Sequence, residues 1–169
     1  MLIRDGLRCV VVCLVASLLG CGADTVEEPT FQDDLVPVSG VVTLDGEPAE
    51  NVAVVYTPTQ GASASGGYAA YGTTGPDGKY SLVTTPGGSV AELQEFSGAL
   101  PGAYDISFSR MLMPDGTAWT PGDSDEGPMA SGARESLPLR LTNANTSGFK
   151  QTVPEGGGSD FNFDLTTEE

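Results

Sequence analysis

The side chains able to make or break bonds are few in this chain, and their types already exclude several chemistries. Its 169 residues contain no histidine. Ser-His-Asp and Cys-His catalysis are therefore closed to it, as are the usual zinc sites. Sulfur nucleophiles are limited to Cys9, Cys13 and Cys21. Oxygen chemistry rests on 23 Asp and Glu. Hydrolysis by a carboxylate pair needs two of them across a deep cleft, which a small domain rarely builds, so a hydrolase ranks last. The acidic cluster Asp123-Ser124-Asp125-Glu126, with Asp115 upstream, is a candidate Ca²⁺ site. Ca²⁺ takes about six to eight oxygens from a flexible loop. Asp115, Asp123, Asp125 and Glu126 lack the glycine and distal glutamate of an EF-hand, so a solvated acidic loop without a cofactor is the preferred reading. Trp119, with Tyr68 and Tyr71, is a candidate for stacking on a sugar ring. The preferred alternative for Trp119 is a structural one: its apolar body and single N–H fold the surrounding loop back over the domain.

Cys21 is the one residue with a clear chemical role. Arg4 and Arg8 precede an apolar run of eleven residues, Cys9 to Leu19, broken only by Ser17. A charged start, a short apolar stretch and a small residue before the cut are the marks of a secretory signal peptide. A spanning helix needs about 20 apolar residues. The segment Leu18-Leu19-Gly20-Cys21 resembles the lipobox of bacterial lipoproteins. That resemblance implies a diacylglycerol thioether on the Cys21 sulfur, cleavage before Cys21, and palmitate-type acylation of the freed amine. Two or more chains give stable anchoring, at roughly 0.8 kcal/mol per buried methylene. Gly22 stands where an Asp would favour inner-membrane retention, so the expected location is the outer membrane of the cell envelope.

Cleavage would leave residues 21–169, with five basic and 22 acidic side chains and a net −17. Such a surface excludes nucleic acid as a partner, because phosphate binding needs a basic face. Solubility or cationic ligands fit it better. With Cys21 acylated, no thiol remains for a disulfide. The mature domain must then rest on an apolar core and strand ladders. The 23 glycines and 12 prolines favour many turns over long helices.

The elements that would carry these residues follow from alternation and turn pairs. Residues 21–36, rich in Asp and Glu, read as an extended tether. Strands are expected at 38–44, 51–57, 68–74, 79–84, 103–109, 149–153 and 161–165, and a short extended piece at 137–141. Asp45-Gly46 and Asp77-Gly78 mark turns. One helical turn is expected at 91–96, and 111–136 reads as a long polar insert with few strand signals. About seven short strands with frequent turns predict an all-β, antiparallel, Ig-like sandwich over 37–167, preceded by the signal peptide at 1–20.

Three stretches resemble a known family. Ser39-Gly40-Val41-Val42-Thr43-Leu44-Asp45-Gly46-Glu47-Pro48 through Val54 is similar to the opening of carboxypeptidase regulatory-like domains, which are transthyretin-like sandwiches. Thr74 to Leu82 and Leu100 to Ile106 resemble their Asp-Gly-aromatic and Pro-Gly-x-Tyr signatures. The closing Phe161-Asn162-Phe163-Asp164-Leu165, after Thr146-Ser147-Gly148-Phe149, resembles small lipoproteins of planctomycete-type bacteria. The resemblance implies a non-catalytic module for structure or interaction, not a peptidase. The expected function is thus a lipid-anchored envelope lipoprotein that touches the membrane through its acyl chains and meets an envelope protein or glycan. The alternative is a carbohydrate- or Ca²⁺-binding protein that uses 111–136.

Overall fold

The computed structural model describes residues 30–59, 68–85, 96–120 and 127–168. Its strands are β1 (Ser39–Leu44), β2 (Glu47–Pro48), β3 (Ala53–Pro58), β4 (Ala70–Thr73), β5 (Lys79–Ser81), β6 (Val83–Thr84), β7 (Phe96–Ser97), β8 (Gly102–Ser109), β9 (Met111–Leu112), β10 (Arg134–Glu135), β11 (Lys150–Val153) and β12 (Phe163–Leu165). One sheet runs β11-β8-β3-β4-β6-β7 and is antiparallel throughout. The facing sheet is built on β1, which pairs with β12, β2 and β5. The predicted all-β sandwich is what forms. Within it, the pairing of β1 with β12 is parallel, with Val42 opposite Phe163 and Leu44 opposite Leu165.

Alternation builds the interior. Val54 and Tyr56 of β3 and Tyr104, Ile106 and Phe108 of β8 point inward, and each is almost fully buried. Val42, Tyr80, Phe161, Phe163 and Leu165 join them from the other sheet in one apolar cluster. Phe163 is the hub. Its ring lies 5.2 Å from Phe108, 5.7 Å from Phe149, and 6.3 Å from both Tyr56 and Tyr80, mostly edge-on. Edge-on aromatic pairs at this spacing are favourable beyond their buried area.

The chain crosses between sheets at Leu82. β5 belongs to the β1 sheet and β6 to the large one, and only Leu82 separates them. Its N–H donates to the Val38 carbonyl and its own carbonyl accepts from Gly98, so the corner is paired on both sides. Gly40 is where the last segment comes closest. A Cβ there would sit 1.9 Å from the Phe161 carbonyl oxygen, so any larger residue would push that backbone off β1.

Four local expectations change. The tether does not stay extended over its described end: Thr30–Asp34 coils into a 3₁₀ turn, and Val36 pairs with Ala99 at the sheet. Residues 139–142 also form a 3₁₀ turn rather than an extended piece, beginning after Pro138 and burying Leu141. Phe96, assigned to a helical turn, pairs in β7 with β6, while 91–95 lie outside the described residues. The polar insert carries strands of its own, β9 and β10.

Candidate functional site

Residues 110–120 and 127–136 form a small ladder appended to the end of β8. β9 pairs antiparallel with β10, Met111 opposite Glu135 and Leu112 opposite Arg134. On its other edge Leu112 bridges to Ala118. The Asp115-Gly116 turn closes this second hairpin, with Gly116 at φ +85°. The Asp115 carboxylate accepts from the Thr117 hydroxyl at 2.6 Å and the Thr117 N–H at 2.9 Å. Those bonds hold its carboxyl below the usual aspartate range.

Glu135 fixes the ladder to the sandwich. Its carboxylate accepts from the Ser109 hydroxyl at 2.6 Å, the Arg110 N–H at 2.9 Å and the Leu137 N–H at 2.9 Å. One carboxylate thus gathers both strands where they leave the core. Sequence reading passed over Glu135, because one carboxylate among 23 gives no signal of its partners.

Beside this anchor lies a depression of about 360 Å³, lined by Met111, Met129, Gly132, Ala133, Arg134 and Glu135. The turn that supplies Met129 is knitted by Ala133 N–H to the Pro128 carbonyl and Gly132 N–H to the Met129 carbonyl. Met129 itself is 83 % exposed. Trp119 is half-buried, and its backbone N–H donates to the Met111 carbonyl. Among the described residues its buried indole N–H has no hydrogen-bond partner, and neither has the Arg110 Nε. No protein-family model, curated protein or solved structure matches this chain.

Of the candidate metal and ligand residues, Asp115 and Trp119 are among those described. Asp115 is exposed at the hairpin tip and is engaged by Thr117. Asp123, Asp125 and Glu126 lie outside the described residues, as does Cys21. Among the described residues, no three of Cys, Asp and Glu group closely enough to hold a metal ion. Among them, too, no helix is long and apolar enough to cross a membrane. Trp119 lies across the ladder from Met111, in a hairpin that the sequence reading did not predict.

The buried polar groups of the sandwich are engaged in holding its own backbone. The Tyr80 hydroxyl donates to the Phe161 carbonyl at 2.7 Å and lies 3.0 Å from the Tyr56 hydroxyl. With its only proton committed, Tyr80 accepts from Tyr56. Burial pushes the Tyr56 phenol up to about 12 and raises Tyr80 and Tyr104 as well. Thr74 Oγ1 donates to the Ala49 carbonyl at 2.6 Å and accepts from Val52 N–H at 2.8 Å. Thr84 Oγ1 donates to the Gly98 carbonyl, and Ser147 Oγ to the Ile106 carbonyl.

Proposed function

We propose that this protein is a lipid-anchored, non-catalytic module of the cell envelope, exported and held by acyl chains on Cys21. The observation that carries the reading is the run Leu18-Leu19-Gly20-Cys21 after a short apolar segment. It supplies a thiol where a lipoprotein signal needs one. The sandwich fits that role in two ways. Its buried tyrosine, threonine and serine hydroxyls serve strand corners and turns, which leaves them engaged in structure rather than free for chemistry. Its acidic surface favours solubility and works against contact with anionic head groups, so the lipid has to supply the membrane affinity.

The test is expression with labelled palmitate, with and without the signal-peptidase inhibitor globomycin. The wild-type chain should take up label and partition with membranes, and globomycin should accumulate the uncleaved form. The Cys21→Ser chain should take up no label. Unlabelled wild-type protein free in the soluble fraction would overturn the proposal.

One observation favours a second reading, a glycan-binding role for 111–136. The Trp119 indole N–H has no acceptor among the described residues, and a sugar hydroxyl would provide one. A glycan array comparing wild type with Trp119→Phe tests this. Binding that needs Trp119 supports a ligand role, and an empty array removes it.

A further inference from the structure

We propose that Met129 is a site of reversible oxidation to the sulfoxide by a small uncharged peroxide, and that the guanidinium of Arg134 binds the oxygen it gains. Both residues line the depression beside Glu135.

Exposure singles out Met129. Apart from Met1, the methionines of the chain are Met111, Met113 and Met129. Met129 is 83 % exposed, while Met111 and Met113 are half-buried. Methionine ordinarily fills irregular gaps in a core, and a side chain this open to solvent fills none. It is therefore the thioether that a diffusing oxidant reaches first. The sulfur lone pair attacks one oxygen of hydrogen peroxide and the O–O bond breaks. The sulfur keeps that oxygen and is oxidised, and the rest of the peroxide leaves as one molecule of water. The acidic surface repels anionic oxidants but does not repel a neutral peroxide.

The turn decides what the new oxygen meets. Ala133 N–H donates to the Pro128 carbonyl and Gly132 N–H to the Met129 carbonyl, so the chain folds back and brings Met129 toward the start of β10. Arg134 stands there. Among the described residues its guanidinium has neither an ion-pair partner nor a hydrogen-bond acceptor. Lys79 and Lys150, by contrast, pair with Asp77 and Asp105, and Arg140 donates to the Thr166 and Glu168 carbonyls. Glu135, next to Arg134 in the chain, is already taken up by Ser109, Arg110 and Leu137. A thioether sulfur is a weak acceptor, so reduced Met129 does not hold the guanidinium. A sulfoxide oxygen carries partial negative charge and accepts strongly from a charged donor. Oxidation thus ties the turn to β10, and enzymatic reduction of the sulfoxide releases it.

The experiment treats the full chain, in detergent, with dilute hydrogen peroxide and samples it early for peptide mass spectrometry. The gain of one oxygen should appear at Met129 at least about threefold faster than at Met111 or Met113. Amide exchange at Gly132 and Ala133 should then slow by about tenfold against the untreated chain. Methionine sulfoxide reductase should restore the original rates. In Arg134→Leu, Met129 should oxidise as fast, but the exchange should not slow. Arg134 is exposed, so circular dichroism should show the sandwich of that variant intact. The proposal falls if Met111 or Met113 oxidises as fast as Met129, or if reductase leaves the oxidised exchange rates in place. It falls equally if oxidation leaves exchange at the turn unchanged, or slows it as much in Arg134→Leu.

Discussion

At the scale of single residues, the interior tyrosines show how direction within a hydrogen-bonded chain sets the cost of losing it. Tyr56 donates to Tyr80, and Tyr80 donates to the Phe161 carbonyl. Tyr80→Phe removes the middle member and leaves a buried donor and a buried acceptor unpaired. Urea unfolding should show a loss of about 1–3 kcal/mol. Tyr56→Phe removes only the end donor, and its cost should be smaller, near 1 kcal/mol. Equal costs would mean that the direction assigned here is wrong. The same phenols give a pH dependence with a definite sign. Their folded pKa values lie above the ordinary tyrosine value near 10. Below that value both states are protonated and stability does not depend on these groups. As pH rises from about 10 toward about 12, the unfolded chain releases protons that the folded chain keeps. Stability should therefore fall across that window, by up to about 1.4 kcal/mol per pH unit for each phenol. Melting temperatures taken from pH 9 upward should decline, and a flat profile would remove the burial argument.

At the scale of elements, β12 and the β9–β10 ladder differ in how they are held. β12 brings only three residues, yet its Phe163 touches four rings, and Phe161 just before the strand supplies the carbonyl that Tyr80 needs. Phe163→Ala should cost about 3–5 kcal/mol by thermal or urea unfolding. The turn after β1 adds a clasp on the same element. The Asp45 carboxylate accepts from the Thr167 N–H at 3.0 Å and hydroxyl at 2.8 Å, which lowers its carboxyl pKa. The ladder lacks such core rings and depends on Glu135 at its base. Glu135→Ala should free three donors and open the ladder locally. Amide exchange should then quicken at Met111, Leu112 and Arg134 while β3 and β8 stay protected. Uniform loss of protection would show that the ladder is instead part of the sandwich's cooperative unit.

At the scale of the whole molecule, charge and topology set the behaviour. A net charge of −16 on 169 residues repels itself in the folded state. Salt shortens the range of that repulsion, from about 30 Å at 0.01 M to about 8 Å at 0.15 M. The melting temperature should therefore rise over that interval. A fall would mean that attractive pairs outweigh the repulsion. Among the described residues the ion pairs are Lys79 with Asp77 and Lys150 with Asp105, both at exposed lysines, so little attraction stands to be screened away.

Local patterning by itself determined the class of fold. Strict alternation at Tyr104, Ile106 and Phe108, and at Phe161, Phe163 and Leu165, orients side chains through backbone geometry alone. Asp-Gly pairs mark turns because their residues tolerate positive φ. The type of Cys21 and the apolar run before it likewise needed no fold to be read. Long-range pairing decided the rest. That β12 lies parallel to β1, across more than a hundred residues, depends on the space Gly40 leaves for Phe161, which no local pattern encodes. The strands in the polar insert were illegible because β9 and β10 have two residues each, too few to show a period. Only the fold brings Glu135 to Ser109 and Arg110 and Met129 to Met111, because each of these contacts joins residues distant in sequence through a ladder that tertiary closure creates.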